Sequence, residues 1–96
     1  MRVVFSAEAK ADIASAKAWY DDQGEGLGSE LLEDLRSLAQ RLSMHPLAFP
    51  MAEKGARRAS LRRFPYVLYF YVSERSVRVV ACFHTSRDPA HRQQRF

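Results

Sequence analysis

The residues of this 96-residue chain that could do chemistry are mostly arginines. Arg57, Arg58, Arg62, Arg63, Arg78, Arg87, Arg92 and Arg95 crowd the C-terminal half, with His84 and His91 among them. A guanidinium presents a planar fork of donors that matches phosphate and carboxylate oxygens, and it keeps its charge at any physiological pH. Such a set suits two tasks. It can grip an anionic partner, or it can stabilise the charge on a phosphorane while a histidine moves the proton of an attacking 2′-hydroxyl. For the second task His84 and Arg87 are the candidate catalytic residues. A strand-end histidine hydrogen-bonded to backbone is the competing reading of His84.

Other chemistries find no support. His45, His84 and His91 have no ligand spacing, and the single cysteine, Cys82, excludes a cysteine-based metal cluster or an intrachain disulfide. Gly24, Gly26 and Gly28 are followed by Ser29-Glu30 and not by the Lys-Ser/Thr of a phosphate loop. No serine or cysteine nucleophile stands with a recognisable base. The expectation is a protein without metal or cofactor, with Cys82 packed inside a strand.

Charge is divided unevenly along the chain. Residues 1–48 hold five Lys/Arg against eight Asp/Glu, net −3, and residues 49–96 hold ten against three, net +7. Nine of those ten cations are arginine, and five fall within residues 54–63, more than is needed to protect a sheet edge from aggregation. With 47% hydrophobic and 27% charged residues the composition is that of a folded soluble domain, and no run approaches a membrane span. The N-terminal MRVVFSAEAK is too briefly apolar for a secretory signal, so a cytoplasmic location is expected.

These groups must be held by a fold. Residues 64–72 (FPYVLYFYV) are too apolar for a strand with one wet face and predict a central strand covered on both sides. Residues 77–83 (VRVVACF) predict a second, joined to the first by Ser73-Glu74-Arg75-Ser76, a connection of hairpin length. Residues 57–63 (RRASLRR) predict an amphipathic strand, with Arg57, Ala59, Leu61 and Arg63 on one face and Arg58, Ser60 and Arg62 on the other. Upstream, residues 1–5 read as a short strand, Ser6 as an N-cap and residues 7–43 as a helical hairpin. Its first helix carries the stripe Ala9, Ile13, Ala16, Tyr20, with Trp19 beside it as a partly buried anchor. Its second carries Leu31, Leu35, Leu38 and Leu42 after the glycine-rich residues 21–28. Pro46, Pro50 and Gly55 make residues 44–56 an irregular, mobile connection, and residues 85–96 form a basic tail.

The order β-α-α-β-β-β predicts one α+β domain over residues 1–96, the hairpin packed on one face of a mostly antiparallel four-stranded sheet. Residues 57–84 supply a three-stranded antiparallel run, and the position of the first strand is not readable from periodicity. Leu31, Leu35, Leu38, Tyr66, Phe70 and Val79 are expected in the core.

The order of basic strand, Phe64-Pro65-Tyr66, aromatic strand, β-branched strand and His84-Thr85-Ser86-Arg87-Asp88-Pro89 resembles the RelE/ParE superfamily of bacterial type II toxin–antitoxin (plasmid-stabilisation) toxins. The resemblance implies the fold just described and a small acidic antitoxin, with which the toxin would associate or oligomerise. It leaves two targets, since some relatives cut mRNA on the ribosome and others poison DNA gyrase. In RNA-cutting relatives an arginine follows the strand tyrosine and a tyrosine lies beyond the C-terminal arginine. Here Val67 and Gln93 stand at those positions and only Arg87 matches. The similarity therefore implies the ParE-like branch, a toxin that binds DNA gyrase without an active site, the eight arginines above meeting the target. A ribosome-dependent, metal-independent mRNA endonuclease using His84 and Arg87 is the alternative. An inactive homologue retained as an antitoxin-binding protein is a third reading. On the gyrase reading, removal of the chain after Pro89 abolishes toxicity and leaves the fold intact.

Overall fold

Leu31, Leu35, Leu38 and Leu42 recur at helical spacing, and all four are buried in one apolar cluster beneath the sheet. The computed structural model describes residues 1–86 and Arg95. Its elements run β1 (Arg2–Phe5), α1 (Ala7–Gln23), α2 (Leu27–Met44), a 3-10 turn (Pro46–Ala48), β2 (Arg57–Ser60), β3 (Tyr66–Val72) and β4 (Ser76–His84). This is the predicted α+β order. The strands form a four-stranded sheet in the order β1-β4-β3-β2, antiparallel except where β1 lies parallel to β4. The hairpin of α1 and α2 thus serves as the start of the crossover that a parallel pair requires. The expected core residues Leu31, Leu35, Leu38, Tyr66, Phe70 and Val79 are all buried.

Local chemistry fixes the helix ends. Ser6 caps α1, its Oγ accepting from the Ala9 N–H at 3.1 Å. Asp21 caps α2 from outside: its Oδ1 accepts from the Gly28 N–H at 3.1 Å while Lys17 Nζ donates to Oδ2 at 2.7 Å. The Lys17 hydrogen bond holds the Asp21 carboxyl below its ordinary pKa against an opposing desolvation, with the Lys17 charge and the Gly28 N–H adding to it. A depressed carboxyl contributes stability above its unfolded pKa and loses it as pH falls through the folded value, which here lies below 3.8. A Cβ on Gly28 would overlap Asp21 Oδ1. Gly28→Ala should therefore expel the carboxylate and flatten this part of the acid limb. Stability measured against pH checks it, and an unchanged acid limb would remove Asp21 from the role.

The basic strand is shorter than the sequence predicts. β2 ends at Ser60 and not at Arg63, and β3 begins at Tyr66 and not at Phe64. The cause is Asp34, which stands within the leucine stripe of α2 and is 6% exposed. Its Oδ1 accepts from the Arg62 N–H at 3.3 Å and its Oδ2 from the Arg63 N–H at 2.8 Å. Those donors leave the ladder, and Leu61 N–H closes the bend on the Tyr66 carbonyl at 2.9 Å. Asp34→Ala should cost about 2 kcal/mol through the loss of these charge-assisted bonds, and Asp34→Asn less. Denaturation midpoints decide it; a change within about 0.5 kcal/mol would mean that the bend is held by something else.

Three further differences have physical reasons. Opposite Tyr69 and Phe70, β4 skips Val80, so Val79 pairs Phe70 and Ala81 pairs Tyr69. This bulge sends Val77 and Val79 to the helices and Ala81 and Phe83 to the far face, where Val67 and Tyr69 join them in a second buried cluster. The connection after α2 is less irregular than expected: beyond the 3-10 turn, Pro50 C=O accepts from Arg58 N–H at 3.0 Å and Met51 bridges to Arg57. Trp19 is 44% exposed and meets Tyr20 edge-on at 4.9 Å. It lies on the flank of α1, less buried than a core anchor. Among the described residues no helix is long and apolar enough to cross a membrane.

Candidate binding face

The alternation of side chains along a strand sorts the cations. Ala59, Phe70, Val77 and Val79 point to the helices, as do the partly buried Val3 and Phe5. Arg58, Tyr69, Tyr71, Arg78 and Arg2, at the intervening positions, therefore share the opposite face. Register brings them together: Arg58 pairs Tyr69 across β2 and β3, Tyr71 pairs Arg78 across β3 and β4, and Arg2 pairs Ser76 at the start of β1. Arg2, Arg58 and Arg78 are exposed. Arg58 and Tyr69 also border a cleft of about 320 Å³ with Met51, Ala52 and Glu53. Tyr71 is steadied by its hydroxyl, which donates to the Lys54 carbonyl at 3.4 Å. The exposed arginines, with the half-buried Tyr71 beside Arg78, offer charge and one aromatic surface to an anionic partner, while Tyr69 is buried among Val67, Ala81 and Phe83.

The remaining candidates divide. Arg57 lies on the helix side, its Nη1 donating to the Phe49 carbonyl at 2.7 Å. Arg62 and Arg63 are exposed on the bend fixed by Asp34. Arg63 is engaged by Glu30 at 2.6 Å, a pair that holds its guanidinium proton more firmly than in free arginine. Arg95 is paired with Asp12 at 2.8 Å. Arg87 and Arg92 lie outside the described residues, as does Gln93.

His84 pairs with Tyr66 across β3 and β4 and meets its ring edge-on at 5.3 Å, on the helix side of the sheet. Its Nδ1 accepts from the Ser86 N–H at 3.1 Å. An Nδ1 so occupied leaves the proton of the neutral ring on Nε2, which can then donate but not act as a base. The histidine and the cations of the far face are thus on opposite sides of the sheet.

Arg2, Asp12 and Asp34 were not singled out from the sequence. Asp34 and Asp12 did carry a signal, a carboxylate standing inside an apolar helical stripe. Arg2 carried none, because its face depends on which strand β1 joins.

A family model described as the ParE toxin of the type II toxin–antitoxin system parDE matches residues 3–89. Among solved structures, one described as the chromosomal ParDE TA system from P. aeruginosa matches with a TM-score of 0.65 at 15% identity, covering 90% of this chain and 97% of that one. At that identity the likeness is one of fold. No match was found among curated proteins.

Proposed function

The chain belongs to the ParE toxin family of type II toxin–antitoxin systems, and from that premise we propose that it acts by binding DNA gyrase through the far face of its sheet. As a toxin of this family it has an antitoxin as its partner. The observation that carries the target reading is, among the described residues, the separation of the far-face arginines from His84 across the sheet. Arg2, Arg58 and Arg78 gather with Tyr69 and Tyr71 on one face, while His84, the titratable group a nuclease would use, sits on the other with Nδ1 occupied. A binding toxin requires only the first arrangement. A nuclease requires base and cations around one phosphodiester.

The antitoxin on this reading is small and acidic, and covers part of the basic half, whose net +7 favours an anionic partner. The protein acts within the cytoplasm. Induction in cells should give filamentation and DNA-damage signalling with translation at first intact, and the purified protein should inhibit supercoiling by gyrase. Rapid arrest of translation, with transcripts cut at codons in the ribosomal A site and protected by His84→Ala or Arg87→Ala, would overturn the choice in favour of the endonuclease. A protein that is harmless yet still draws down a small partner from co-expressed neighbours would point to the inactive homologue retained for antitoxin binding.

A further inference from the structure

β1 covers β4 only from Ser76 to Val79, where the Ser6 N–H donates to the Val79 carbonyl at 2.9 Å. Beyond that point β4 continues to His84, and among the described residues no strand lies on this edge. An ion pair takes the strand's place. Asp12 Oδ2 accepts from the Cys82 N–H at 3.0 Å, and Arg95 Nη1 donates to the Val80 carbonyl at 2.8 Å. The two side chains join each other at 2.8 Å through Nη1 and Oδ2, and at 3.3 Å through Nη2 and Oδ1. Cys82 N–H, carboxylate, guanidinium and Val80 carbonyl form a closed ring that supplies the acceptor and donor a neighbouring strand would offer. The guanidinium also lies over the Phe83 ring at 5.0 Å. The Arg95 and Asp12 side chains are 23% and 17% exposed, so the pair is shielded enough to be specific.

We infer that the Asp12–Arg95 pair is a clasp that closes the open edge of β4 and holds the chain there at Arg95, which makes Asp12 a positioning residue for the toxin's contact with its target. The second half of this statement rests on the target reading above. Asp12 is placed for the task by α1, where it stands three residues after the buried Ala9 and four before the buried Ala16, on the face turned to β4. Arg95, in turn, is withdrawn from solvent while the clasp is closed. It serves by holding the chain, and on this inference removal of everything after Pro89 disturbs the edge of β4, contrary to the expectation above.

The test uses the full-length toxin with Asp12→Asn, Arg95→Gln and the exchanged double variant Asp12→Arg/Arg95→Asp. Two readouts are independent of any target: amide exchange at Cys82 and trypsin cleavage after Arg92. The third is inhibition of gyrase supercoiling. Each single variant should speed cleavage about tenfold, the scale of one lost charge-assisted contact, accelerate exchange at Cys82 and weaken inhibition by a comparable factor. The double variant should recover most of the loss, since the ring closes equally with the arginine at position 12 donating to Val80 and the aspartate at position 95 accepting from Cys82. Asp12→Asn preserves size but leaves only a neutral, weaker acceptor toward Cys82 and removes the charge that holds Arg95, so it decides the matter should Arg95→Gln fail to fold. Cleavage and exchange unchanged in the single variants would overturn the clasp. Faster cleavage and exchange with full inhibition would overturn the positioning role. If the unmodified toxin leaves gyrase untouched, the positioning role falls with the target reading, and cleavage and exchange alone decide the clasp.

Discussion

Leu38→Ala is expected to cost this protein about 3 to 5 kcal/mol and Leu35→Ala, on the same face of α2, about 2 kcal/mol. The difference comes from what surrounds each side chain and not from its type. Leu38 is fully buried, and Phe70, at the centre of β3, belongs to the same cluster with no exposure. A cavity there is enclosed on all sides by the packed core and has little room to collapse. Leu35 is 5% exposed and borders a groove of about 240 Å³ with Phe5, Ile13, Leu32 and Ala39. The space it vacates opens onto that groove, so neighbours and water can relax into it. A domain of this length commonly holds about 5 to 15 kcal/mol in all, so the Leu38 variant should be close to the limit of folding. Urea midpoints for the two variants, with equal slopes, check the ordering. If Leu35 proved the more costly, the groove side of α2 would be wrongly assigned.

The helices were legible because their signals are periodic and local. Four leucines at helical spacing, an N-cap serine and a glycine-rich break need no knowledge of the rest of the chain. The strands were legible as apolar runs, and for the same reason their faces were not. A run such as VRVVACF contains almost no alternation, so nothing in it announces that Val80 is skipped and that Ala81 and Phe83 face away from Val77 and Val79. The place of β1 beside β4 depends on a crossover through both helices, which periodicity does not encode.

Carboxylates set the limits of the site reading. Arg62 and Arg63 looked like the end of a strand until Asp34, twenty-eight residues upstream of Arg62, removed the backbone N–H groups from the ladder. Arg95 looked like a free tail cation until Asp12, eighty-three residues away, engaged it. In both cases a run of basic residues showed where charge is concentrated and left open which charges are spent inside the fold. Alternation alone set Arg58 opposite Ala59, but that Arg78 and Arg2 share its face depended on the β3–β4 register and the strand order.

Arg58→Glu/Arg78→Glu should reduce inhibition of gyrase by about a hundredfold or more, because each reversal removes an attraction and adds a repulsion at a contact surface. The fold should hardly notice. Both side chains are exposed, and such substitutions commonly stay within about 0.5 kcal/mol. The pair of reversals takes the net charge from +4 to zero, two units at each position, so a loss of general attraction must be separated from a loss of contact. Lys10→Glu and Arg36→Glu make that separation: they change the charge equally but lie on the helices, beside the groove at Leu35. If charge alone mattered, the two double variants would fall together, and raising the salt would bring the unmodified toxin down to meet them. If the far face is the contact, only the Arg58/Arg78 variant loses inhibition. Arg58 needs one control, since Glu53 borders the same cleft and a second carboxylate there would add its own repulsion. Arg58→Gln/Arg78→Gln avoids it and should still lose about tenfold. A far-face variant that remains folded and inhibits gyrase as fully as the unmodified toxin would take the target contact off this face.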